Sequence, residues 1–306
     1  MYEPEYQNII NDICRNNEIA CTVFDNRCIS LNHNGITRYI WSRRFPHNSA
    51  SSSRLIDSKC LCSLVLHSAG LPVVLHSKLY RSDLEGYGFQ NRTNQQICEN
   101  ILTISGGVVI KPNDSYEGND VFACFSSKEI ECTLYNVFKR REILAVSPYI
   151  KASAEYRVFF LDGECLLAYR KKLPYVVGNG MSTLASLVSH ANVLSSDLQK
   201  ELDFSSIPED GKKIEIGWKY NLSRGSTPEV INEKAVLSKL YPLAIKAAEI
   251  VDARFVTVDL LEDTQTKELL ILEINAGVAM DQFILKHPQG RSIAYSIYEK
   301  AILSLF

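Results

Sequence analysis

Apolar and polar residues alternate most clearly in one segment near the end of the chain, and this alternation predicts a β-hairpin. Two runs rich in aliphatic and β-branched residues, Phe255–Leu261 and Leu269–Ile274, flank a polar turn at Asp263–Lys267. This arrangement is typical of paired strands. Because side chains alternate between the two faces of a strand, a turn centred near Thr266 would place the acidic positions of both strands opposite each other.

Two acidic side chains of this hairpin are therefore predicted to face each other. The Cβ atoms of Asp259 and Glu273 would lie about 5 Å apart, where like charges destabilise a sheet. A cation held between them would reverse that effect, and Asn275 would add a neutral oxygen from the same face. Two carboxylates and an amide suit Mg²⁺, so the hairpin predicts a magnesium site. The alternative is a solvated face with incidental acids, because exposed Asp and Glu are common.

The periodicity elsewhere predicts a mixed α and β protein, and 306 residues suffice for two or three packed subdomains. Helices are predicted over Tyr2–Asn17, Ser51–Ala69, Gln95–Leu102, Ser127–Lys139, Leu187–Phe204, Asn232–Val251 and Ser292–Phe306. Strands are predicted over Ile19–Leu31, Gly35–Ser42, Pro72–Leu75, Gly107–Ile110, Glu142–Ser147, Tyr156–Leu161, Cys165–Tyr169 and Lys213–Trp218. A polar loop is predicted over Tyr80–Asn91.

The predicted helix that begins at Ser51 carries a candidate charged side chain. A serine run can cap this helix, and Leu61 and Leu64 are expected in its inward stripe. Asp57 and Lys59 lie off that stripe, so both are free to face a cleft. The alternative for Lys59 is an ordinary surface lysine.

Other basic residues occur where strands end. Lys111 closes an apolar run before Pro112, which suits a phosphate contact, although lysine is common at strand ends. The loop that follows carries Gly118, a weak signal for a phosphate-binding loop. Arg170–Lys172 precede a glycine turn at Gly178–Gly180, and this cluster could clamp phosphates. A solvated sheet edge is the alternative for the cluster.

Composition excludes several classes of protein. A net charge of −2 gives no basic excess for nucleic-acid binding. Nine cysteines occur without a CxxC pair or zinc-like spacing, as expected of reduced thiols in a cytoplasmic protein. No basic and apolar leader opens the chain, and no apolar run reaches about 18 residues, so neither secretion nor a membrane span is expected.

Seven motifs follow one another in a distinctive order. They are DSK in a helix, VVIKP, a glycine-containing loop, EYRVFFLDGECLLAYRKK, VVGNGMSTLASLV, NLSRGST and TVDLL…LEINAG. This order resembles the ATP-grasp carboxylate–amine ligases, and within them the ATP-grasp units of cyanophycin synthetase and of the bifunctional glutathione-synthesising enzyme. The resemblance covers roughly Asp57 to Arg291.

The resemblance implies an α+β chain with the ATP-grasp fold, in which two α+β subdomains clasp ATP. A short N-terminal β-ribbon extension precedes them. On this basis residues 1–54 are expected to form the extension, and residues 55–152 the smaller, lid-side subdomain. Residues 153–306 are expected to form the C-terminal subdomain, which carries the magnesium site.

The resemblance also implies roles for individual residues. The implied nucleotide contacts are Lys59 and Lys111 for the phosphates, Gly118 in the phosphate loop, Ser147, Tyr149 and Ile150 at an adenine-binding hinge, and Glu155 for the ribose. The implied ligands of Mg²⁺, with Mn²⁺ as a substitute, are Asp259, Glu273 and Asn275, in agreement with the hairpin pattern. The implied catalytic arginines are Arg157 near the transferred phosphate, Arg170 as a second candidate, and Arg224 near the substrate.

The chain also departs from the pattern it resembles. A second glycine of the phosphate loop is replaced by Asp120, a hinge glutamate by Ser147 and an arginine before the NLS motif by Gly217. Val278-Ala279 stand where relatives often have Pro-Gly. The lysine and metal positions are intact, so these departures affect substrate identity more than nucleotide binding.

The implied reaction forms an amide or peptide bond. A substrate carboxylate would attack the γ-phosphorus of ATP, and an amine would then attack the acyl phosphate, which the segment Lys171–Ser182 would shield as a lid. The expected acyl donor is an amino acid or a peptide. The short N-terminal region is expected to bind substrate itself or with a partner protein or a second subunit. The alternatives are an ATP-grasp phosphotransferase and a nucleotide-binding protein without catalysis.

Overall fold

The N-terminal segment forms a helix and a small antiparallel sheet. The computed structural model describes residues 4–25, 27–81, 93–114, 118–191, 193–194 and 197–306. Helix α1 (Pro4–Asn16) is followed by β1 (Ala20–Val23), β2 (Cys28–His33) and β3 (Ile36–Trp41), paired in that order. The predicted single strand over Ile19–Leu31 is wrong. A turn divides it, and the Asp25 carboxylate accepts the backbone N–H groups of Arg27 and Cys28 there.

The predicted helix Ser51–Ala69 consists of two helices, α2 (Ala50–Asp57) and α3 (Lys59–Ser68). Ser58 leaves helical geometry, and its side chain accepts the N–H of Leu61 as the cap of α3. This break rotates the second half of the segment. Leu61 and Leu64 are consequently 45% and 53% exposed, and the predicted inward stripe is wrong.

A four-stranded antiparallel sheet forms the first of two main sheets. It contains β4 (Ser77–Tyr80), β5 (Val108–Pro112), β6 (Phe122–Cys124) and β7 (Ile143–Pro148), in the order β4-β7-β5-β6. Helices α4 (Asn94–Ser105) and α5 (Ser127–Phe138) pack against it around their own apolar core. Both helices confirm the predictions. The predicted loop Tyr80–Asn91 lies, beyond residue 81, outside the described residues.

The second main sheet has five antiparallel strands. It contains β8 (Ala152–Leu161), β9 (Glu164–Lys172), β12 (Thr227–Val230), β13 (Phe255–Asp263) and β14 (Leu269–Asn275), in the order β12-β9-β8-β13-β14. Helix α7 (Lys234–Ile250) covers one face, together with apolar side chains of α2 and α3. The other face packs partly on α1 and on the C-terminal helices α8 (Asp281–Lys286) and α9 (Gly290–Leu303).

Helices α2 and α3 pack on the five-stranded sheet, although residues 55–152 were expected to form the other subdomain. Ile56, Cys62 and Leu66 belong to the core beneath the five-stranded sheet, although they precede the four-stranded sheet in sequence. The segment predicted as the strand Pro72–Leu75 forms only an isolated parallel bridge between Val73 and Ile271. The boundaries at residues 54 and 152 stay predictions.

A small lobe is inserted between β9 and β12. It contains β10 (Tyr175–Val177) paired with β11 (Lys213–Glu215), and the short helix α6 (Leu184–Ser189). The predicted helix Leu187–Phe204 is wrong, because α6 ends at Ser189 and turns follow in the described part of that segment. The lobe has its own apolar core.

Two whole-chain expectations can be compared with the structure. All nine cysteines are free, as the absence of paired spacing predicts. Among the described residues, the helices lack the combination of length and apolar character that crossing a membrane requires.

Candidate active site

A large cavity lies between the two main sheets. Its volume is about 1190 Å³, which exceeds the usual range for a single small ligand. Strands β5 and β7 contribute one wall, and strands β8, β9, β13 and β14 contribute the opposite wall. Of the predicted site residues, those that line the cavity are Lys111, Gly118, Ser147, Tyr149, Ile150, Glu155, Arg157, Asp259, Glu273 and Asn275.

One row of side chains crosses the cavity face of the five-stranded sheet. The strand register aligns Tyr169, Arg157, Asp259 and Glu273 as successive neighbours on β9, β8, β13 and β14. The hairpin prediction that Asp259 and Glu273 lie directly opposite each other is confirmed. Within this row two like charges therefore lie side by side, and the cation of the row, Arg157, is next to Asp259.

Asp259 is neutralised by the protein itself. Arg157 donates to both of its carboxylate oxygens at 2.7 and 2.6 Å, and the Lys171 ammonium lies 3.2 Å from one of them. The Asp259 side chain is only 2% exposed. Burial alone would raise the pKa of Asp259, but Arg157 and Lys171 outweigh burial and lower it to about 2.

Glu273 is held much more loosely. Its nearest cation is the Lys111 ammonium at 3.8 Å, and its side chain is 24% exposed to the cavity. The Asn275 amide donates to the other carboxylate oxygen at 3.4 Å. Burial opposes ionisation, yet Lys111 and Lys59 lower the pKa of Glu273. Glu273 is therefore an ionised carboxylate with room for a further ligand.

Burial also shifts the pKa values of two groups beside this row, Lys111 and Glu155. It lowers the pKa of Lys111, and Lys59 adds to the decrease while Glu273 opposes it. Burial raises the pKa of Glu155, even though the Lys171 ammonium lies 2.5 Å from its carboxylate. Perturbed groups gathered in one cleft are typical of functional sites.

The donor set at one end of the row fits a divalent cation. Glu273 and Asn275 offer adjacent oxygens, whereas both Asp259 oxygens already accept hydrogen bonds. Thr257 lies opposite Asn275, and its buried hydroxyl has no hydrogen-bond partner among the residues that the structure describes, so a hydrated ion there would satisfy it. Within the described ranges no cluster of three or more His, Cys, Asp or Glu could hold a metal. A cation would depend on Glu273, Asn275 and the ligand it accompanies.

The predicted hinge lies on the opposite wall and is aromatic. The Tyr149 ring contacts Phe125 edge-on at 5.0 Å and Trp218 at 6.1 Å between ring centroids. A Cβ at Gly107 would lie only 2.8 Å from the Phe125 ring, so a glycine is needed for this approach. The hinge backbone and this aromatic cluster form a flat, partly apolar end of the cavity.

Lys219 was missed by the sequence analysis and lies at the glycine loop. Its ammonium is 2.8 Å from Asp197 and 3.5 Å from the Gly118 carbonyl. Gly118 has a left-handed φ of +69°, and a Cβ there would meet the Asn221 side chain at 2.8 Å. Because Lys219 sits two residues before the NLS motif, only the three-dimensional approach of the two loops brings it into the site.

Three predicted residues, Lys59, Arg224 and Arg170, do not line the cavity, and the first two lie close to it. Lys59 occupies a much smaller cavity behind Glu273, with its ammonium 3.5 Å from the Asn113 carbonyl. Arg224 is beside the glycine loop, where it donates to Asn119 at 2.7 Å. Both are close to the site, but neither lines it.

The predicted role of Arg170 as a second candidate catalytic arginine does not agree with its position in the structure. It pairs with Tyr156, donates to the Tyr156 hydroxyl at 3.1 Å and faces Glu229, on the sheet face away from the cavity. Its neighbour Lys171 faces the cavity instead and is only 3% exposed. Regular pairing across the turn at Asp162–Gly163 would align Arg170 with Glu155, but a register shift between Phe159 and Phe160 aligns Lys171 with Glu155 instead.

This architecture is that of the ATP-grasp fold. Residues 212–299 match the RimK-like ATP-grasp domain. The bifunctional glutathione synthetase of Pasteurella multocida superposes with a TM-score of 0.57 at 17% identity, covering 97% of this chain and 44% of that one. The chain therefore has the ATP-grasp fold, and the predicted resemblance and fold class are confirmed.

Two further proteins are similar to this chain, one in sequence and one in structure. The glutathione biosynthesis bifunctional protein of Streptococcus agalactiae is 25% identical over 63% of this chain, and the match spans 30% of that protein. The D-alanine–D-alanine ligase of Bacillus anthracis, solved with ATP, has a TM-score of 0.52 at 14% identity, covering 84% of this chain and 66% of that one. The chain thus spans less than half the length of the glutathione-synthesising proteins it resembles.

Proposed function

We propose that this chain is an ATP-dependent carboxylate–amine ligase. The observation that carries the proposal is the row Arg157–Asp259–Glu273 facing Lys111 across one cavity. Phosphoryl transfer needs positioning and neutralisation of oxygen charge more than covalent chemistry. Lys111, Arg157 and Lys171 supply that neutralisation on a buried surface.

ATP would occupy the cavity from the hinge to the charged row. The base would lie against the hinge backbone of Ser147–Ile150 and beside the Phe125, Tyr149 and Trp218 rings. The triphosphate would extend towards Lys111 and Lys219 beside Gly118. Mg²⁺ held by Glu273 and Asn275, next to Asp259, would neutralise charge on the phosphate oxygens.

The reaction would proceed in two steps. A substrate carboxylate attacks the γ-phosphorus and releases ADP, giving an acyl phosphate. An amine then attacks the acyl carbon, and phosphate leaves as the amide forms. Arg157 stabilises charge on the transferred group while its bond to Asp259 fixes its orientation. An amino acid or a peptide is the proposed acyl donor. The proposed location of the protein is the cytoplasm.

Shielding of the acyl phosphate is proposed for the small lobe as a unit. The predicted lid began at Lys171, but that side chain is buried in the charged site. The glycine turn is also packed, since a Cβ at Gly178 would overlap the Glu209 carbonyl. Lys200 of the lobe pairs with Glu129 of α5 across the cavity mouth, which would let the lobe close as a rigid body.

An ADP-release screen tests the proposal. Pairs of carboxylates and amines would be supplied with ATP and Mg²⁺, and products would be identified by mass spectrometry. We expect ADP formation that requires both substrates and yields an amide. Lys111→Ala should lower the rate two to three orders of magnitude, by about 3–4 kcal/mol of barrier. Exposed Lys128 on α5 provides the matched control, Lys128→Ala.

Other outcomes of the same screen would contradict the proposal. A phosphorylated hydroxyl product would indicate a phosphotransferase. ATP binding without ADP formation across the panel would indicate a nucleotide-binding protein without catalysis.

A further inference from the structure

The N-terminal extension contributes a wall to the same cavity. We call residues Trp41–Arg44 the ribbon turn; it is closed by backbone hydrogen bonds of 3.0 and 2.9 Å between Trp41 and Arg44. All four residues of the turn line the cavity. The Val278 N–H donates to the Arg43 carbonyl at 2.9 Å and fixes the turn beside the segment that follows β14.

The ribbon turn carries two arginines, and each has a carboxylate partner. Arg43 donates to both oxygens of Asp281 at 3.1 and 2.6 Å, and its guanidinium lies over the Tyr6 ring at 4.2 Å. Arg44 donates to Asp57 at 2.5 Å. The bonds from Arg43 to Asp281 use two of the five N–H donors of a guanidinium, and a carboxylate accepts about four. The Arg43–Asp281 pair can therefore bind a further charged group.

Both arginine–carboxylate pairs lie at the edge of water. Arg44 and Asp57 are 29% and 20% exposed, and Arg43 and Asp281 are 15% and 13% exposed. Trp41, at the start of the turn, is 56% exposed and lines the same cavity. The wall thus offers two guanidinium groups, the Asp281 carboxylate and the Trp41 ring to one ligand.

The wall is close to the metal end of the charged row. Gly277, which also lines the cavity, follows Asn275 by two residues, about 7 Å of extended chain. A Cβ on Gly277 would lie 3.9 Å from the Arg44 side chain. The distance from Asn275 to the ribbon turn is therefore comparable to the length of one amino acid.

We propose that the ribbon turn and Asp281 bind the zwitterionic head group of a free α-amino acid. The proposal rests on the ligase function above and names the element that receives the amino-acid substrate. An α-amino acid carries an ammonium and a carboxylate on one carbon, and this wall presents the complementary charges side by side. A polyanion would meet the Asp281 carboxylate beside the two guanidinium groups, so the wall does not favour it. Trp41 packs against the amino-acid side chain.

Binding calorimetry on the full chain tests this assignment without requiring turnover. The probes are the common α-amino acids, each with its N-acetyl and C-amide derivative, in the presence of Mg²⁺ and a non-hydrolysable ATP analogue. At least one free amino acid should bind about tenfold or more tightly than both of its blocked forms, because each blocked form loses one charged hydrogen bond. Equal binding of free and blocked forms, or no binding of any probe, would overturn the assignment.

An arginine variant locates the binding at the ribbon turn. Arg44→Gln should weaken binding of the selected amino acid about tenfold or more, and leave affinity for the ATP analogue unchanged. Arg54→Gln is the matched control, because Arg54 is an exposed arginine on α2 away from the cavity. Amino-acid binding unchanged in Arg44→Gln would contradict the assignment. The comparison of free and blocked ligands on the unaltered protein stands even where Arg44→Gln fails to fold.

Failure of the ligase proposal gives a different result. Zwitterion-selective binding without ADP release in the substrate screen would leave this inference intact and refute the ligase. ADP release with N-acetyl and C-amide derivatives as readily as with free amino acids would support the ligase proposal and refute the assignment of the ribbon turn as the head-group site.

Discussion

Asp259 and Glu273 lie opposite each other on paired strands, yet their surroundings differ in kind. Asp259 is 2% exposed and accepts hydrogen bonds from Arg157 at both oxygens, with Lys171 close by. Glu273 is 24% exposed and has its nearest ammonium at 3.8 Å. The protein itself neutralises the first carboxylate and leaves the second open. Of two identical charges at neighbouring positions, one is thus a counter-ion within the protein and the other is accessible from the cavity.

The structure changes the expected source of the cation that neutralises the two opposed acids. From the sequence, the opposed acids require a cation between them. In the structure, that requirement is met for Asp259 by Arg157 and Lys171. The requirement for an added cation therefore rests on Glu273, with Asn275 beside it.

The largest expected effect is on stability, and it separates the two acids. Asp259→Asn leaves the Arg157 guanidinium without its counter-ion in the site, while Lys171 keeps Glu155 as a partner, and loss of the Arg157 partner costs about 3–5 kcal/mol. Thermal unfolding should show a Tm lower by on the order of 10 °C. Glu273→Gln removes only a loose ion pair and should change the free energy of unfolding by less than about 1 kcal/mol. Equal losses for the two variants would show that the carboxylates are not distinct.

A smaller effect concerns the pH dependence of nucleotide affinity. Burial lowers the pKa of Lys111, with Lys59 adding to the decrease. The ammonium therefore loses its proton at a lower pH than an exposed lysine, and affinity for ATP should fall as pH rises through that pKa. Lys111→Arg keeps its charge at alkaline pH, so its affinity should stay level over the same interval. Fluorescent-nucleotide titrations from neutral to alkaline pH measure both.

The exposed lysine of α5 controls for general effects of alkaline pH. Lys128→Arg should behave as the unaltered protein does. A fall in affinity that persists in Lys111→Arg would assign the titration to another group.

Local pattern located both hairpins of the site, but turn position and alternation alone do not give their full register. Regular pairing continued from Glu262 and Leu269 would place Asp259 opposite Leu272, and an irregularity between Asp259 and Leu260 brings Glu273 there instead. Regular pairing across the turn at Asp162–Gly163 would likewise place Arg170 opposite Glu155. The irregularity between Phe159 and Phe160 moves Lys171 into that position, and alternation along the strand does not predict it.

Other parts of the site depend on contacts between distant segments, which periodicity does not contain. Lys219 reaches Gly118 only through the meeting of two loops. Arg43 joins the cavity through bonds to Asp281 and Val278, more than two hundred residues away. The break at Ser58 is local but subtle, because a serine capping a helix inside an apolar pattern leaves the overall periodicity nearly helical.

Metal binding tests the central claim most directly. Mn²⁺ would be titrated against the protein with a non-hydrolysable ATP analogue and followed by electron paramagnetic resonance. Glu268→Gln, at an exposed turn of the same hairpin, serves as the control. If Glu273 is the open ligand, Glu273→Gln weakens Mn²⁺ binding at least 10-fold to 100-fold, roughly the loss seen even for outer contacts of metal sites, while Glu268→Gln binds normally. Unchanged Mn²⁺ affinity in a folded Glu273→Gln protein would contradict the account.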